Sequence, residues 1–342
     1  MKIDALVNAA PLATMQKLAR DFEDAGFDGL VITEGGRTAY LSCTAAALAS
    51  DLELSTGVAV AFPRSPMVTA SIAWELAEAT GGKFRLGLGT QVRAHVERRY
   101  SSEFDPPGPR LRDYLKAVRA IFAGFRGGGL DYTGEYYQHT LLPDVWSPGP
   151  IAVPDPAIDI AAVNPWMLRM AGEWADGVHV HPLNSPTYLR ETVLPEVGLG
   201  AAQADRTIDD VSLIVPCFTV AGATEAERKG WRDWARFQIG FYGSTPNYSF
   251  IFEQLGREGT TQQLRGHQKA GDMAAMAEVI DDEMLSHFVV EGDWDEVGPK
   301  IVDRYDGIAS RVVLYFAGTA WGRDRSSLEG FAKIAEAVSA QN

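Results

Sequence analysis

Short apolar segments alternate with amphipathic segments along most of this sequence, and that alternation constrains the fold more than any other feature. The first apolar segment, 3–7, is followed by Leu12, Met15, Leu18 and Phe22 at the spacing of a helix buried on one side. Near-continuous apolar strands between such helices are typical of a parallel sheet covered by helices. The predicted strands are 3–7, 28–33, 52–62, 84–88, 158–162, 177–180, 211–220 and 311–316.

Eight strands in this alternation predict an α/β fold of the (β/α)8 barrel type, with 1–342 forming a single domain. An open doubly wound sheet fits less well, because it typically uses fewer strands and begins with a glycine-rich phosphate-binding turn. The nearest such turn contains Gly87 and Gly89, but Val92 stands where the third glycine should be. We therefore predict the closed barrel, with insertions after the fourth and seventh strands.

The two predicted insertions are long. Segment 127–156 is rich in Gly and Pro and too long for a plain connection, and segment 224–284 is predicted to be mostly helical. We expect the first to cover one end of the barrel and the second to build a wall of the active site, because catalytic loops follow barrel strands. Trp231, Trp234, Phe241 and Tyr242 in the second insertion indicate either a fairly apolar substrate pocket or packing within the insertion.

The charge balance excludes one class of partner. The 31 Lys and Arg residues are outnumbered by 45 Asp and Glu residues, so the net charge is −14. Nucleic-acid binding needs clustered positive charge, and we expect none. Cys43 and Cys217 are too few for a disulfide scaffold, and no apolar run reaches the roughly 18 residues of a membrane span. We expect a cytoplasmic protein without a membrane segment.

Polar residues follow several predicted strands, at the edge where barrel enzymes hold their sites. Glu34 follows the second strand and Arg64 the third, and the two could serve the site or form a salt bridge across the rim. Asn164 and Pro165 follow the fifth strand, where Pro165 suits the first turn of a helix. These positions predict a polar site at the carboxyl-terminal mouth of the barrel.

Histidines supply further candidates. His179 and His181 lie two apart on the sixth predicted strand, so both face the same side of the sheet. The pair is a possible metal site, but no acidic or cysteine motif accompanies it, and we assign no metal. Gln91 and His95 open the helix after the fourth strand, where free backbone N–H groups suit an anionic ligand or a ring carbonyl. They could line a pocket or lie on a solvated helix.

Longer motifs carry a resemblance to a known family. Segments 54–66 (LSTGVAVAFPRSP), 81–90 (GGKFRLGLGT), 160–165 (IAAVNP) and 171–178 (AGEWADGV) resemble the luciferase-like flavin and deazaflavin oxidoreductases of the bacterial luciferase type. Segment 89–100 (GTQVRAHVERRY) is similar to the actinobacterial branch that uses coenzyme F420. The resemblance covers 1–195 well and the last third mainly in layout.

The resemblance implies a fold, a cofactor and a set of binding residues. Relatives of this kind form (β/α)8 barrels, usually homodimers, and hold F420 at the carboxyl-terminal mouth against a bulge after the third strand. That bulge carries a non-proline cis peptide, which here would fall between Gly57 and Val58. The resemblance also places Thr90 and Gln91 near the edge of the cofactor ring. The resemblance also implies that the cofactor phosphate lies near Val163, Asn164 and Pro165.

The sequence also departs from one branch of that family. Resemblance to the F420-dependent sugar-phosphate dehydrogenases would require a histidine after Glu34, a glutamate at Val92 and a lysine near Asn184, and all three are absent. A sugar phosphate is therefore not expected as the substrate. For proton transfer there remain His95, which we favour because histidine titrates near neutral pH, then His181 and Glu34.

We therefore predict an F420-dependent oxidoreductase that moves a hydride between the cofactor and a small, fairly apolar organic substrate. The alternative within the same fold is an FMN-dependent monooxygenase, because FMN and F420 present the same ring and phosphate to the protein. A metal-dependent barrel hydrolase built on His179 and His181 is a less favoured alternative. The last alternative is a protein that binds the cofactor without catalysing a reaction, since the acid and base of the sugar-phosphate branch are absent.

Overall fold

Eight parallel strands close into a barrel in the computed structural model, which describes residues 1–323 and 325–340. The strands are β1 (Lys2–Asn8), β2 (Gly29–Thr33), β3 (Glu53–Thr56), β4 (Ala59–Val60), β5 (Phe84–Gly89), β6 (Tyr132–Thr133), β7 (Gln138–His139), β8 (Ala157–Ala162), β9 (Gly177–Val180), β10 (Ser212–Ala221), β11 (Val289–Gly292) and β12 (Arg311–Leu314). The barrel order is β1, β2, β3, β5, β8, β9, β10 and β12, and β12 pairs with β1. This confirms the predicted (β/α)8 barrel.

Helices surround the barrel and fill the insertions. They are α1 (Leu12–Asp24), α2 (Ala39–Ala47), α3 (Pro66–Ala79), α4 (Arg93–Arg98), α5 (Pro107–Ala123), α6 (Pro165–Trp174), α7 (Pro186–Tyr188), α8 (Leu194–Gln203), α9 (Glu225–Gly243), α10 (Ser249–Glu253), α11 (Thr260–Ala270), α12 (Met273–Glu278), α13 (Asp282–Phe288), α14 (Trp294–Tyr305), α15 (Ala317–Trp321) and α16 (Arg325–Ser339). Shorter π- or 3-10-helical segments cover Gly124–Gly128, Asp144–Trp146, Leu189–Val193, Ile208–Asp210 and Pro246–Tyr248.

Helix ends follow the residues that favour them. The Ser65 hydroxyl caps α3 by accepting the Val68 N–H at 3.3 Å, and Pro66 takes the first helical position. Gly26 follows α1 with a φ of 79°, a left-handed conformation that glycine adopts without a Cβ clash. These local signals explain where α1 ends and where α3 begins.

Two predicted strands differ in detail. The third, 52–62, is divided into β3 and β4, and the peptide bond between Gly57 and Val58 in the gap is cis, at the position where the resemblance places it. The last, 311–316, ends at Leu314, because the chain turns at Phe316 to begin α15. The strands that form the barrel wall are otherwise those predicted.

The first insertion is anchored on the helices α3 and α5. The buried Asp113 carboxylate of α5 accepts the backbone N–H groups of Tyr136 at 2.7 Å and Tyr137 at 3.0 Å. The Trp74 indole N–H on α3 donates to the Gly149 carbonyl at 3.0 Å. These polar anchors lie on the helical layer, and they hold the insertion there.

The second insertion lies partly over the mouth of the barrel. It consists of α9 to α13 with one 3-10 segment, and it brings Tyr242 and Tyr248 against His181 at the end of β9. Gln254 connects the same insertion to the helical segment Leu189–Val193 by donating to the Thr192 hydroxyl at 2.8 Å. No helix in the part of the chain that the structure describes is long and apolar enough to cross a membrane.

Candidate functional site

Buried ion pairs close the barrel below the site. The guanidinium of Arg311 donates to both oxygens of Asp4 at 2.6 Å and also pairs with Glu53. Arg85 donates to the two oxygens of Asp159 at 2.8 and 2.6 Å. Inward-facing residues of barrel strands form layers, and these pairs make up the layer nearest the strand amino ends. Each buried charge has its partner, so this layer is structural.

The middle layer contains an apolar cluster and a histidine. Leu6, Val31, Ile214 and Val313 pack together inside the barrel. His179 lies in the same layer with 7% of its surface exposed, and its Nε2 atom has no hydrogen-bond partner. Burial lowers the pKa of His179 to about 4, against a smaller opposing effect of Asp159. The imidazole is therefore neutral at physiological pH.

Glycines make the room for His179. A Cβ atom on Gly87 would lie 2.6 Å from Nε2 of His179 and would overlap the backbone oxygen of Thr56. A Cβ atom on Gly57 would overlap Val31 and lie 3.6 Å from Cε1 of His179. The barrel thus accommodates the imidazole directly beneath the bulge that follows β3.

The bulge is braced by the Glu34–Arg64 ion pair, which the sequence left open as one of two possibilities. Arg64 donates to both carboxylate oxygens of Glu34, and the Val60 N–H donates to Oε2 of Glu34 at 2.8 Å. Arg64 also donates to the Val60 carbonyl at 3.0 Å. Only 3% of the Glu34 side chain is exposed. Because both of its oxygens are engaged, Glu34 holds the segment after the bulge and does not offer a free carboxylate.

The loop after β5 forms the next part of the rim. Gln91 adopts a left-handed conformation with a φ of 58°, and its side-chain oxygen accepts the Val92 N–H at 2.8 Å. The Thr90 hydroxyl donates to the Gln91 carbonyl at 3.0 Å. His95 is exposed on the short helix α4. The structure therefore keeps Thr90, Gln91 and His95 on one segment at the mouth, with His95 accessible to solvent.

The start of α6 supplies another part of the rim. Asn164 caps this helix by accepting the Met167 N–H at 3.0 Å through its side-chain oxygen, and Pro165 takes the first helical position. The hydroxyl of the buried Tyr188 donates to the Val163 carbonyl at 2.7 Å. The three residues predicted to lie near the cofactor phosphate are thus held in a fixed conformation at the end of β8.

His181 stands at the end of β9 beside two tyrosines. Its ring centroid lies 4.8 Å from that of Tyr242 and 4.6 Å from that of Tyr248, and its Nδ1 atom accepts the Leu183 N–H at 3.0 Å. The hydroxyl groups of Tyr242 and Tyr315 are hydrogen-bonded to each other. Burial of the His181 ring lowers its pKa to about 3. We call His181, Tyr242, Tyr248 and Tyr315 the mouth cluster.

Sequence reasoning missed two members of this cluster. Tyr315 directly follows β12, so its position at a strand end could have marked it, but the predicted strand continued to 316. Tyr248 belongs to a 3-10 segment of the second insertion and carries no signal of its own. His179 and His181 lie in different layers, and the described residues contain no group of three or more His, Cys, Asp or Glu that could hold a metal ion. The hydrolase alternative therefore has no such group of ligands within 1–323 and 325–340.

Comparisons with known proteins agree with this architecture. A family model described as luciferase-like monooxygenase matches residues 2–311. An uncharacterized protein of Mycobacterium tuberculosis is 37% identical over 324 residues, which cover 94% of this chain and 95% of the relative. A 5,10-methylenetetrahydromethanopterin reductase of Archaeoglobus fulgidus is 26% identical over 313 residues, which cover 89% of this chain and 88% of the reductase.

Solved structures share the fold along the full chain. The coenzyme F420-dependent tetrahydromethanopterin reductase of Methanopyrus kandleri superposes with a TM-score of 0.80 at 21% identity, covering 99% of both chains. An F420-dependent secondary alcohol dehydrogenase in complex with an F420-acetone adduct has a TM-score of 0.69 at 13% identity, with 98% of both chains covered. A 3,6-diketocamphane monooxygenase constituent from Pseudomonas putida in complex with FMN has a TM-score of 0.65 at 14% identity, covering 100% of this chain and 99% of the other. At these identities the likeness concerns the fold alone.

Proposed function

The chain belongs to the luciferase-like monooxygenase family, and on that premise we propose that it is a single-domain, F420-dependent oxidoreductase. In this proposal a hydride moves between coenzyme F420 and a small, fairly apolar organic substrate. The observation that carries the proposal is the partly open floor of small residues at the carboxyl ends of the barrel strands. Its members are small, and Gly57, Val58, Ala161 and Val163 are all partly exposed there. A planar ring system can lie on such a floor without meeting a large side chain.

The glycine of β5 leaves room for the residues of that floor. A Cβ atom on Gly89 would lie 2.6 Å from Cγ2 of Val58 and 3.5 Å from the Cβ atom of Ala161. Any larger residue at this position would displace the Val58 side chain. The residues at the mouth therefore fit a deazaflavin or flavin ring backed by Gly57 and Val58.

The rim around the floor offers polar groups suited to the rest of such a cofactor. Thr90 and Gln91 present backbone and side-chain polar atoms beside the end of β5. The first-turn N–H groups of α6, after Asn164 and Pro165, suit an anionic phosphate, because a helix amino terminus carries partial positive charge. Bound there, F420 would supply or accept the hydride, while the protein supplies position and a water-poor face.

The proposed hydride transfer is accompanied by transfer of a proton. We propose His95 for this role, because it is an exposed histidine on the rim segment that also carries Thr90 and Gln91. Glu34 is assigned a supporting role, since Arg64 and the Val60 N–H engage both of its oxygens. Glu34 thus acts by holding the bulge against which the ring would lie.

The choice of F420 over FMN rests on relatives. The motif 89–100 is similar to the F420-using branch, and of the superposed structures the M. kandleri F420-dependent reductase has a TM-score of 0.80, against 0.65 for the FMN complex. The second candidate function, an FMN-dependent monooxygenase, is supported by the fold that this chain shares with that FMN complex. The same floor would serve either ring.

We also propose that the enzyme works in the cytoplasm as a homodimer. The neighbouring helices α2 and α3 place apolar side chains on the surface: Leu41 is 57% exposed, Leu48 just after α2 is 75% exposed, and Val68 is 49% exposed. Apolar surface of this kind favours association with a second copy. Light scattering after size-exclusion chromatography should give twice the monomer mass of 37.1 kDa.

A titration separates the cofactor alternatives. The full-length protein is mixed with F420 and, separately, with FMN under identical conditions, and binding is followed by fluorescence quenching. We expect F420 to bind with a dissociation constant in the micromolar range or below and FMN to bind more weakly. A preference for FMN would favour the monooxygenase and lead to oxygen-consumption assays. Binding of neither would overturn the proposal.

A pair of glycine variants tests the location. Gly89→Ala should weaken F420 binding at least tenfold, because the added methyl group displaces Val58. Gly35→Ala is the matched control, since a Cβ atom there meets no atom within 4 Å. Thermal unfolding of both variants shows whether a loss of binding comes from unfolding. Equal F420 affinity in both would place the cofactor elsewhere.

A further inference from the structure

The mouth cluster joins three parts of the chain at one side of the opening. His181 ends β9, Tyr315 follows β12, and Tyr242 and Tyr248 come from the second insertion. All four side chains are partly exposed, so a ligand at the mouth can reach them. Phe218 packs against Tyr315 with ring centroids 4.7 Å apart and supports it from the barrel side. The cluster is therefore a preformed polar surface beside the proposed cofactor floor.

One hydrogen bond determines the tautomer of His181. Its Nδ1 atom accepts the backbone N–H of Leu183 at 3.0 Å, so the lone pair of Nδ1 is engaged. A neutral imidazole has one donor and one acceptor nitrogen, and the proton must therefore be on Nε2. No described residue accepts a hydrogen bond from Nε2. His181 thus presents an N–H donor, and its protonation would oppose the Leu183 N–H.

The tyrosine pair also presents a donor. Tyr242 and Tyr315 have two hydroxyl protons between them, and one is used in their mutual hydrogen bond. Burial raises the pKa of both hydroxyls, so both are protonated at neutral pH. The remaining O–H proton can be donated to a ligand. Two neutral donors, one N–H and one O–H, therefore lie on this side of the mouth, because the Tyr242 ring contacts both His181 and Tyr315.

The charges around the mouth cluster indicate whether its ligand is charged or neutral. Among the described residues, no charged side chain contributes to the pKa shifts of these four side chains, which come from burial and from the tyrosines themselves. A phosphate or carboxylate group usually requires Arg or Lys to offset its desolvation. A neutral acceptor oxygen requires only hydrogen-bond donors. The cluster therefore suits an uncharged polar group on an otherwise apolar molecule.

From these observations we infer that the mouth cluster binds the oxygen atom of a carbonyl group on the substrate, through Nε2–H of His181 and the free O–H of the Tyr242–Tyr315 pair. The inference rests on the proposed function, because it places the substrate next to the proposed cofactor floor. It assigns His181 the role of a neutral hydrogen-bond donor, and it adds the two tyrosines to the substrate site. Donors directed at a carbonyl oxygen also stabilise negative charge that develops there.

Two probes of matched shape test the inference without turnover. Acetophenone carries the carbonyl oxygen, and α-methylstyrene has a CH2 group in its place. Calorimetric titration of the full-length protein should show acetophenone binding about 5- to 25-fold more tightly, because one neutral hydrogen bond corresponds to about a fivefold change in affinity. A ratio near one, or no binding of either probe at millimolar concentration, would overturn the inference.

Substitutions in the mouth cluster test whether it causes the preference for acetophenone over α-methylstyrene. His181→Phe, and separately Tyr242→Phe combined with Tyr315→Phe, should each reduce the acetophenone preference about fivefold while α-methylstyrene binds as before. Tyr136→Phe is the control, because the hydroxyl of this partly exposed tyrosine bonds to Glu135 in the first insertion. General damage to the site would lower the affinity for both probes equally and leave the ratio of the two affinities unchanged. An unchanged ratio in the cluster variants would refute the assignment.

The same preparations are titrated with F420, which keeps the two proposals separate. If F420 binds and the probe ratio is near one, only the carbonyl inference fails. If F420 does not bind but the ratio is preserved, the proposed cofactor fails and the carbonyl site stands.

Discussion

Acidification should destabilise this protein through His179. The imidazole is buried below the bulge, and its pKa is about 4 in the folded protein against 6.5 in an unfolded chain. The folded state therefore favours the neutral ring. Its stability contribution is complete above pH 6.5 and is lost as the pH falls from 6.5 toward 4, because only the unfolded chain takes up the proton in that interval.

The magnitude follows from the two pKa values. At pH 5 the unfolded state gains about 2 kcal/mol relative to the folded state from protonation of this one residue. A chain of 342 residues unfolds with an entropy of roughly 0.7 kcal/mol/K, so this free energy corresponds to about 3 °C in Tm. His181, with a pKa of about 3, contributes in the same direction, so the wild-type curve contains both effects.

A substitution isolates the part that belongs to His179. His179→Met removes the titrating group and replaces it with a flexible apolar side chain suited to the surrounding Leu6 and Val31. The Tm of wild type and variant is measured by calorimetry between pH 8 and pH 5. We expect the wild-type Tm to fall about 3 °C more than that of the variant over this range. Parallel curves would refute the reasoning, because they would mean that His179 has the same pKa in both states.

Four further predictions concern the rim and the floor. Gly87→Ala should cost at least about 3 kcal/mol, because its Cβ atom would overlap a backbone oxygen of β3; urea denaturation showing a loss below 1 kcal/mol would contradict this. Glu34→Gln should lower the free energy of unfolding by about 3 kcal/mol or more, since it leaves the partner guanidinium without its counter-charge, and an unchanged midpoint would show that the ion pair is unimportant. Asn164→Asp should keep the helix cap and the Tm but weaken F420 binding about five- to tenfold through repulsion of the phosphate, whereas Asn164→Ala should cost about 1 kcal/mol of stability; equal F420 affinity in wild type and Asn164→Asp would move the phosphate elsewhere. His95→Ala should lower turnover at least tenfold with F420 affinity nearly intact, and loss of F420 binding instead would assign His95 to the binding residues.

Local signals were sufficient for the architecture. Strand and helix periodicity depends on side chains that are neighbours in sequence, and it identified the eight strands of the barrel wall before any contact was known. The family motifs added the position of the bulge at Gly57 and Val58. The same resemblance supplied Gly57, Val58 and Val163 of the proposed floor, whereas Gly89 and Ala161 were added by the structure.

The roles of individual side chains required tertiary structure. Glu34 and Arg64 are 30 positions apart, and only their approach showed that the carboxylate is engaged in holding the bulge. The course of the first insertion was likewise decided by its anchor on Asp113, since a Gly- and Pro-rich segment has no periodicity that reveals what it packs against.

His181 illustrates the division most clearly. Its sequence position placed a histidine at a strand end, and that was enough to make it a candidate. Its tautomer depends on the Leu183 N–H, and its neighbours Tyr242 and Tyr315 come from 61 and 134 positions further along the chain. The sequence by itself determined the barrel and where its polar mouth lies, because those follow from local periodicity. Which groups are paired, buried or free to bind was decided only when the closed barrel brought distant segments together, because hydrogen bonding and burial depend on contacts in space.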